Sequence, residues 1–449
     1  TQAYGYAGTD PTQDSAGEEL AGRLYDYGYD SAGNRTSGNH TGTPGMAETA
    51  TANGLNQLQT RENNSVTAQG TAAGGAKVLV ESANAGGPVD VVASRPGTGN
   101  YWGAEAMESN AGGPAYQSVN VIAALAGAGS GGSDVMSSIR QDAFLAPGRQ
   151  SLTYDADGNL SSDGVWDYTY DAENRLIAMT PVTAVVGLTG YTALQLKFAY
   201  DYLGRRVDKQ VYTYNGGWML STETKFVYAG WNLLAETDAS GNLQRTYAWG
   251  LDVAGSLTAT GGIGALAEIV DHGGGAAYLP AYDGNGNVAA LIKASDGSVA
   301  ASYEYSPYGQ LLRQEGAFAA SNPFRFSTHY WDQETVDVYY GYRYYSPDLG
   351  RFLNRDPLGE AGGLNLYGFT GNDPINGQDV LGQDKFLIWV GAAADGTSIM
   401  EEGDDPDPPP TSANLDYLSI GLQDMADAYA KAAAANPQWF PPTAAASSA

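Results

Sequence analysis

The chain has no cysteine. That excludes disulfide staples, cysteine–zinc sites, iron–sulfur clusters and thiol nucleophiles. Its 3 histidines, His40, His272 and His329, are too few and too scattered for a histidine-rich metal centre. No metal and no cofactor is expected. Basic residues are scarce, with 22 Lys and Arg against 50 Asp and Glu and a formal net charge of −28. A nucleic-acid binder needs cations against phosphate, and anionic membranes also recruit cations, so neither is expected as a partner. Long apolar runs are missing too. The stretch from Val121 to Ala128 is broken by Gly127, whereas a membrane span needs about 20 residues. No signal-peptide pattern is visible, and the chain opens at Thr1 without Met, so a processed or trimmed product is expected.

What is abundant is Gly, at 60 residues, and Tyr, at 31 against 10 Phe. Frequent Gly and Tyr without helix-forming Lys, Glu and Leu predicts many short strands and turns. A length of 449 residues suggests about three domains, although repeats override such a count.

A repeat is present. Its unit is an aromatic-Asp pair, a short polar turn carrying Gly-Asn or an equivalent, and an apolar strand. Instances begin at Tyr29-Asp30, Tyr154-Asp155, Tyr170-Asp171, Tyr200-Asp201 and Tyr282-Asp283, with variants at Asp238 and at Tyr303-Glu304-Tyr305-Ser306. Gly and Asn tolerate the positive φ of tight hairpin turns, and Asp at the turn start accepts backbone N–H bonds. Tyrosines at the same place in each unit are expected to stack across neighbouring strands. One hairpin cannot bury its own apolar face, so the units must pile into one continuous sheet. A calcium loop is the alternative at Asp155 and at Asp283. It wants Gly sixth and Glu twelfth, but here Gly is fourth and the twelfth residues are Trp166 and Ala294. A structural turn is the expectation at both.

These residues carry a resemblance over about 1–61 and 149–383. The most specific part runs from Phe324 to Gly382: Phe324-Arg325-Phe326-Ser327, Tyr330-Trp331-Asp332, Tyr339-Tyr340-Gly341-Tyr342-Arg343-Tyr344-Tyr345, Gly350-Arg351-Phe352-Leu353-Asn354-Arg355-Asp356-Pro357, Asn365-Leu366-Tyr367 and Asn372-Asp373-Pro374-Ile375-Asn376. The segment resembles the Rhs-associated core of the Rhs, or YD-repeat, family. That family includes bacterial polymorphic toxins, the C components of insecticidal toxin complexes and teneurin-type shells. The resemblance implies an all-β protein. Its hairpins spiral into a hollow shell, here a partial one, closed by the core as a plug. In the family the shell holds a variable C-terminal polypeptide.

Five segments are expected: N-terminal repeat strands over 1–61, an inserted small β-sandwich over 62–148, the repeat wall over 149–323, the plug over 324–383 and a tail over 384–449. In the insertion, Lys77–Val80, Val89–Val92 and Ser118–Ile122 read as strands. Trp102, Met107 and Tyr116 supply more apolar matter than a Gly-rich loop needs. In the tail, an acidic Pro-rich linker over 401–410 precedes an amphipathic helix over 413–434, with Leu415, Leu418, Leu422, Met425 and Tyr429 at helical spacing. The tail has no His, Arg or Cys, and only Lys385 and Lys431 are basic. Nuclease and ADP-ribosylating chemistry is therefore not expected of it. Asp404, Asp405 and Asp407 are read as a solvated linker rather than a cation site.

The resemblance also implies self-cleavage by an aspartyl-protease-like arrangement just after a stretch matching Asp379-Val380-Leu381-Gly382-Gln383, at Gln383–Asp384. Asp356 is then the essential aspartate, with Asp332, Asp373 or Asp379 as the second carboxyl. Arg351 or Arg355 orients a carboxylate or polarises the carbonyl. Two close carboxyls share one proton, so one acts as base and the other as acid. Each Asp also has an ordinary use, since Asp before Pro starts turns. Val380 stands where the family has Pro, Gln383 where it often has Leu, and Val336-Asp337-Val338 where it has a Gly-Leu-Tyr-like run.

Three functions follow as expectations. One is an encapsulating shell, secreted or on a bacterial cell surface, whose partner is its own tail as cargo or plug. A second is a self-processing peptidase that releases the tail. A third is an extracellular adhesion or lattice protein. Family shells are longer than the repeats present, so a separate shell or delivery component, self-association, or an upstream portion is expected to complete the enclosure.

Overall fold

The repeat turn is a closed local hydrogen-bond unit. In the first instance the Asp30 backbone N–H donates to Asn34 O at 3.0 Å and Gly33 N–H donates back to Asp30 O at 3.1 Å. One Asp30 carboxylate oxygen accepts the N–H groups of Ala32 and Asn34, and the other accepts the Asn34 amide. The same pattern recurs at Asp155, Asp171, Asp201, Asp238 and Asp283, where Arg175 and Arg205 replace the Asn at two turns. The residue before the last turn position needs positive φ, and it is Gly at +76° in Gly33 and Asn at +60° in Asn174. The carboxylate oxygens that a calcium loop would require at Asp155 and Asp283 accept N–H groups of their own turns.

The computed structural model describes residues 2–6, 19–39, 48–63, 65–82, 89–92, 101–107, 110, 112–253, 261–383, 386–392 and 398–402. The predicted linker over 401–410, beyond residue 402, and the predicted helix over 413–434 lie outside the described residues.

The turns join strands that stay in chain order. A 14-stranded antiparallel sheet runs from Thr153–Tyr154 to Leu311–Glu315, each strand beside its sequence neighbour. A 6-stranded sheet holds the strands Gln2–Tyr6 through Leu58–Glu62 and then Arg149–Ser151. The only α-helix among the described residues is the single turn Thr183–Val186. Alternation buries one face of each strand, as in Trp166 and Tyr168 or Leu196 and Phe198.

The repeat tyrosine does something other than the predicted stacking. Among the described residues no two of the motif tyrosines pair rings across strands. At three repeats the phenol hydroxyl instead donates to the preceding strand, Tyr200 to Leu176 O at 2.6 Å, Tyr305 to Val288 O at 2.9 Å and Tyr282 to Leu266 O, while the Tyr154 hydroxyl accepts Leu58 N–H at 3.0 Å. A phenylalanine at these three positions would pack equally well but could not donate.

The wall wraps residues 324–383. Tyr339, Tyr344, Leu349 and Leu353 share a core with Leu160, Met179 and Phe198, and Phe324 and Tyr330 share another with Phe226, Leu266 and Leu291. Plug side chains also bond the repeat turns: Tyr367 Oη to Gly158 O at 2.6 Å, Asn372 Nδ2 to Gly33 O at 2.9 Å, and Thr328 Oγ1 to Gly286 O at 2.7 Å. These three turn carbonyls, which the hairpin leaves unpaired, thereby gain donors. The two ends of the wall meet at a seam, where the hydroxyls of Tyr29 and Tyr308 are 2.5 Å apart and Arg61 pairs with both Glu48 and Asp348.

The chain leaves the wall after Glu62 and returns at Arg149, two residues that pair with each other across neighbouring strands. Between them lie a 4-stranded sheet and the pair Ser65–Thr71 with Tyr101–Met107. Val78, Val80 and Val119 of the first pack on Trp102 and Ala104 of the second. A cavity of about 950 Å³ separates this insertion from the seam, between Val121 and Ile139 on one side and Tyr25 and Leu312 on the other.

Candidate processing site

Three charged residues converge where the plug hands over to the tail. Arg343 sits in the tight turn between the strands Asp337–Tyr339 and Tyr344–Ser346, where Gly341 at φ +101° lets the chain reverse. Asp356 follows the short strand Arg351–Phe352. Its backbone N–H donates to Leu366 O at 2.8 Å, and its Oδ1 accepts Leu358 N–H at 2.6 Å. Asp379 ends the strand Gly377–Asp379, which pairs with Phe386–Ala392. Residues 380–383 follow that strand, and the expected cut at Gln383–Asp384 comes directly after them.

One nitrogen of Arg343 lies 2.8 Å from Asp356 Oδ2 and 3.4 Å from Asp379 Oδ2, and all three side chains are fully buried. The same guanidinium donates from Nε to Gly382 O at 2.5 Å and lies over the Phe352 ring at 3.6 Å. Asp379 Oδ1 accepts Gly382 N–H at 2.7 Å and Gln383 N–H at 3.1 Å. The two residues before the expected cut are thus held by the carboxyl and by the cation. Burial raises the Asp379 carboxyl above the usual range. Arg343 and the two N–H groups oppose this, and the negative charge of Asp356 adds to it. Behind the strand, His329 is buried, which pushes its imidazole down to about 3 and keeps it neutral; its ring bonds the Asp379 backbone.

The other residues expected here go elsewhere. Asp332 is buried on the far side of the plug, 2.5 Å from Arg206 and 2.7 Å from Lys209. Asp373 accepts the Asn376 amide in a local turn. Arg351 donates to Asn56 O at 2.6 Å and lies over Tyr367, so it ties the plug to an N-terminal turn. Arg355 is exposed and covers Gly158. Of the proposed carboxyls, Asp356 and Asp379 share the site; of the arginines, neither Arg351 nor Arg355 contacts it in the bonds the structure shows. Arg343 takes that place, and sequence reasoning missed it. A signal existed: a lone cation inside the aromatic run Tyr339–Tyr345 has to be buried, and a buried Arg needs carboxylates or carbonyl acceptors. Val336, in the run that departs from the family, adopts φ +59°, a conformation that a β-branched side chain resists.

No family model matches the chain. In sequence it is similar to the tRNA3(Ser)-specific nuclease WapA of Bacillus spizizenii, 30% identical over 248 residues that make up 54% of this chain and 9% of that protein. It is 32% identical to the double-stranded DNA deaminase toxin A of Burkholderia cenocepacia, over 51% of this chain and 16% of that one. A crystal structure of TcdB2-TccC3-Cdc42 overlays 80% of this chain and 17% of its own at a TM-score of 0.42 and 16% identity. The chain thus spans a small fraction of the length of its curated relatives. The recurring Tyr-Asp turn and the sheet wound in chain order round its plug, together with sequence similarity over about half of the chain, are the features in which it resembles the Rhs-type YD-repeat proteins.

Proposed function

We propose that the chain is the closing part of a shell, secreted or displayed on a bacterial surface, that presents its C-terminal tail and cuts it off after Gln383. The observation that carries this reading is the pairing of Asp356 and Asp379 on the Arg343 guanidinium, with the Gly382 and Gln383 N–H groups on Asp379. In the proposed step, Asp356 takes a proton from water and the water oxygen bonds to the Gln383 carbonyl carbon. Arg343 offsets the negative charge. The C–N bond to residue 384 breaks, and that nitrogen receives the proton of neutral Asp379. Burial raises the Asp379 carboxyl, the direction that the donor role needs.

The strand pairing of Phe386–Ala392 with Gly377–Asp379 crosses the cut. Cleavage is therefore expected to leave the tail attached through backbone bonds until the hairpin opens. The test is intact mass under denaturing conditions beside native size exclusion. Two fragments divided at Gln383 and co-eluting natively support the reading, with Asp356→Asn giving one full-length species. A wild-type chain that stays whole overturns it.

A second reading has its own observation. Asp379 accepts two N–H groups of its own connection, much as Asp30 does in a plain repeat turn. On that reading the cluster only closes the shell, and the tail stays covalently attached. The relatives' nuclease and deaminase activities are not extended to this tail, which has no His, Arg or Cys. A separate shell or delivery component remains the proposed partner.

A further inference from the structure

The connection that carries the expected cut is held by more than the charged cluster. Leu381 O accepts the Tyr342 N–H at 3.1 Å, and the Gly382 carbonyl accepts Arg343 Nε at 2.5 Å. Gly382 has φ +71°, and a methyl group there would lie 3.2 Å from both Tyr340 Cβ and Arg343 Cβ. Val380 packs its backbone carbonyl on Gly261 of the wall, where any side chain would collide with it. The main chain is therefore fixed at three successive residues, but beyond the demand for Gly at 382 these backbone contacts do not read side-chain identity.

One side chain in the stretch has a seat. Leu381 lines an aromatic pocket together with Trp231, Tyr340 and Gly341. A Cβ at Gly341 would lie 3.2 Å from the Trp231 ring and 3.5 Å from Leu381 Cδ2, so the missing side chain leaves the room that both occupy. The seat has two sources. Tyr340 and Gly341 belong to the same plug turn as Arg343, while Trp231 stands on the wall, in the turn before the strand Asn232–Asp238, with its ring 4.7 Å from that of Tyr342.

We propose that Leu381 sets the register of the cut: its side chain, seated between Trp231 and the Tyr340–Gly341 turn, decides which peptide bond reaches Asp356 and Asp379. The pocket is a subsite for an apolar side chain on the third residue of the acyl side. The inference rests on the processing reading above and deepens it. Because Trp231 belongs to the wall, processing is coupled to assembly: the subsite is complete only when the wall has closed on the plug.

The test uses the full chain with Leu381→Met, Leu381→Ala and Trp231→Ala, read by intact mass for the bond cut, by time course for the rate, and by thermal unfolding for the fold. Leu381→Met is expected to cut like wild type, since Met fills the same volume. Leu381→Ala and Trp231→Ala are expected to slow cutting at least about tenfold, as small misplacement of a reacting bond does, and to yield fragments ending beside Gln383. Melting is expected to be nearly unchanged for Trp231→Ala, whose side chain is half-exposed. If Leu381→Ala does not fold, Trp231→Ala decides alone. Cutting at Gln383–Asp384 with the wild-type rate in Trp231→Ala overturns the subsite and leaves the processing reading standing. A wild type that is never cut removes both.

Discussion

The cleanest perturbation of the plug is Asp332→Asn. Asp332 is fully buried and pairs with Arg206 at 2.5 Å and Lys209 at 2.7 Å. Arg206 is itself completely buried, and its remaining partner is the Tyr344 hydroxyl at 2.6 Å. Its Nε and other terminal nitrogen have no hydrogen-bond partner, so nothing stands ready to replace the lost charge. Removing one member of a buried pair typically costs about 3–5 kcal/mol. Asn keeps an acceptor oxygen, and the rings of Phe226, Tyr330 and Tyr339 around the guanidinium keep some attraction. The expected loss is therefore at the lower end, about 3 kcal/mol. Denaturant unfolding at pH 7 is the assay. Burial by itself would raise the Asp332 carboxyl, but Arg206 and Lys209 outweigh it and hold the group below the usual range. A depressed folded-state pKa stabilises above the unfolded value of roughly 4 and stops doing so as pH falls through the folded value. The gap between wild type and variant should accordingly shrink in acid. The double variant Arg206→Met with Asp332→Leu should recover most of the loss, because an apolar pair of similar volume removes the stranded charge. A loss under about 1 kcal/mol, a gap that persists unchanged in acid, or loss of tail cutting in a folded Asp332→Asn protein would each refute the reasoning.

Two further expectations concern other residues. Asp337 is buried close to Asp163, and burial first, then the Asp163 charge, raises its carboxyl well above the ordinary value. Because the folded state holds that proton and the unfolded chain releases it, wild-type stability falls as pH rises from about 4 towards the folded value. Asp337→Asn should lack that decline and gain on wild type between acid and neutral pH, and parallel stability–pH curves would refute this. At the turns, Gly158→Ala and Gly204→Ala both force a positive φ, +88° and +81°. The new methyl at 158 also meets Arg355 and the Tyr367 hydroxyl, whereas at 204 it meets nothing. Melting should drop by the backbone cost of about 1 kcal/mol at 204 and by more at 158; equal drops would mean the plug does not read that turn.

The repeat turns were legible because they are local. An Asp that accepts two N–H groups within four residues, and a Gly or Asn free to take positive φ, need nothing from the rest of the chain. The strand order followed from the same locality, since each hairpin pairs with its neighbour. What Tyr contributes was misjudged, because at three repeats its hydroxyl reaches a carbonyl 16 to 24 positions back, in the previous strand, and only the register of the sheet decides which. The candidate site was half legible. Asp356 and Asp379 were named from resemblance, but so were Asp332 and Asp373, and composition gives four aspartates no ranking. Arg343 passed unnoticed among tyrosines.

By itself the amino-acid sequence determined the class of the molecule: no thiol chemistry, a strongly negative net charge, and hairpins that must stack to hide their apolar faces. The tertiary structure decided which charges meet. Arg343 joins Asp356 and Asp379, and Arg206 joins Asp332, because the wound wall brings residues separated by tens to more than a hundred positions into one dry interior. There Arg343 and Arg206 are each held by a carboxylate that the fold brings to them.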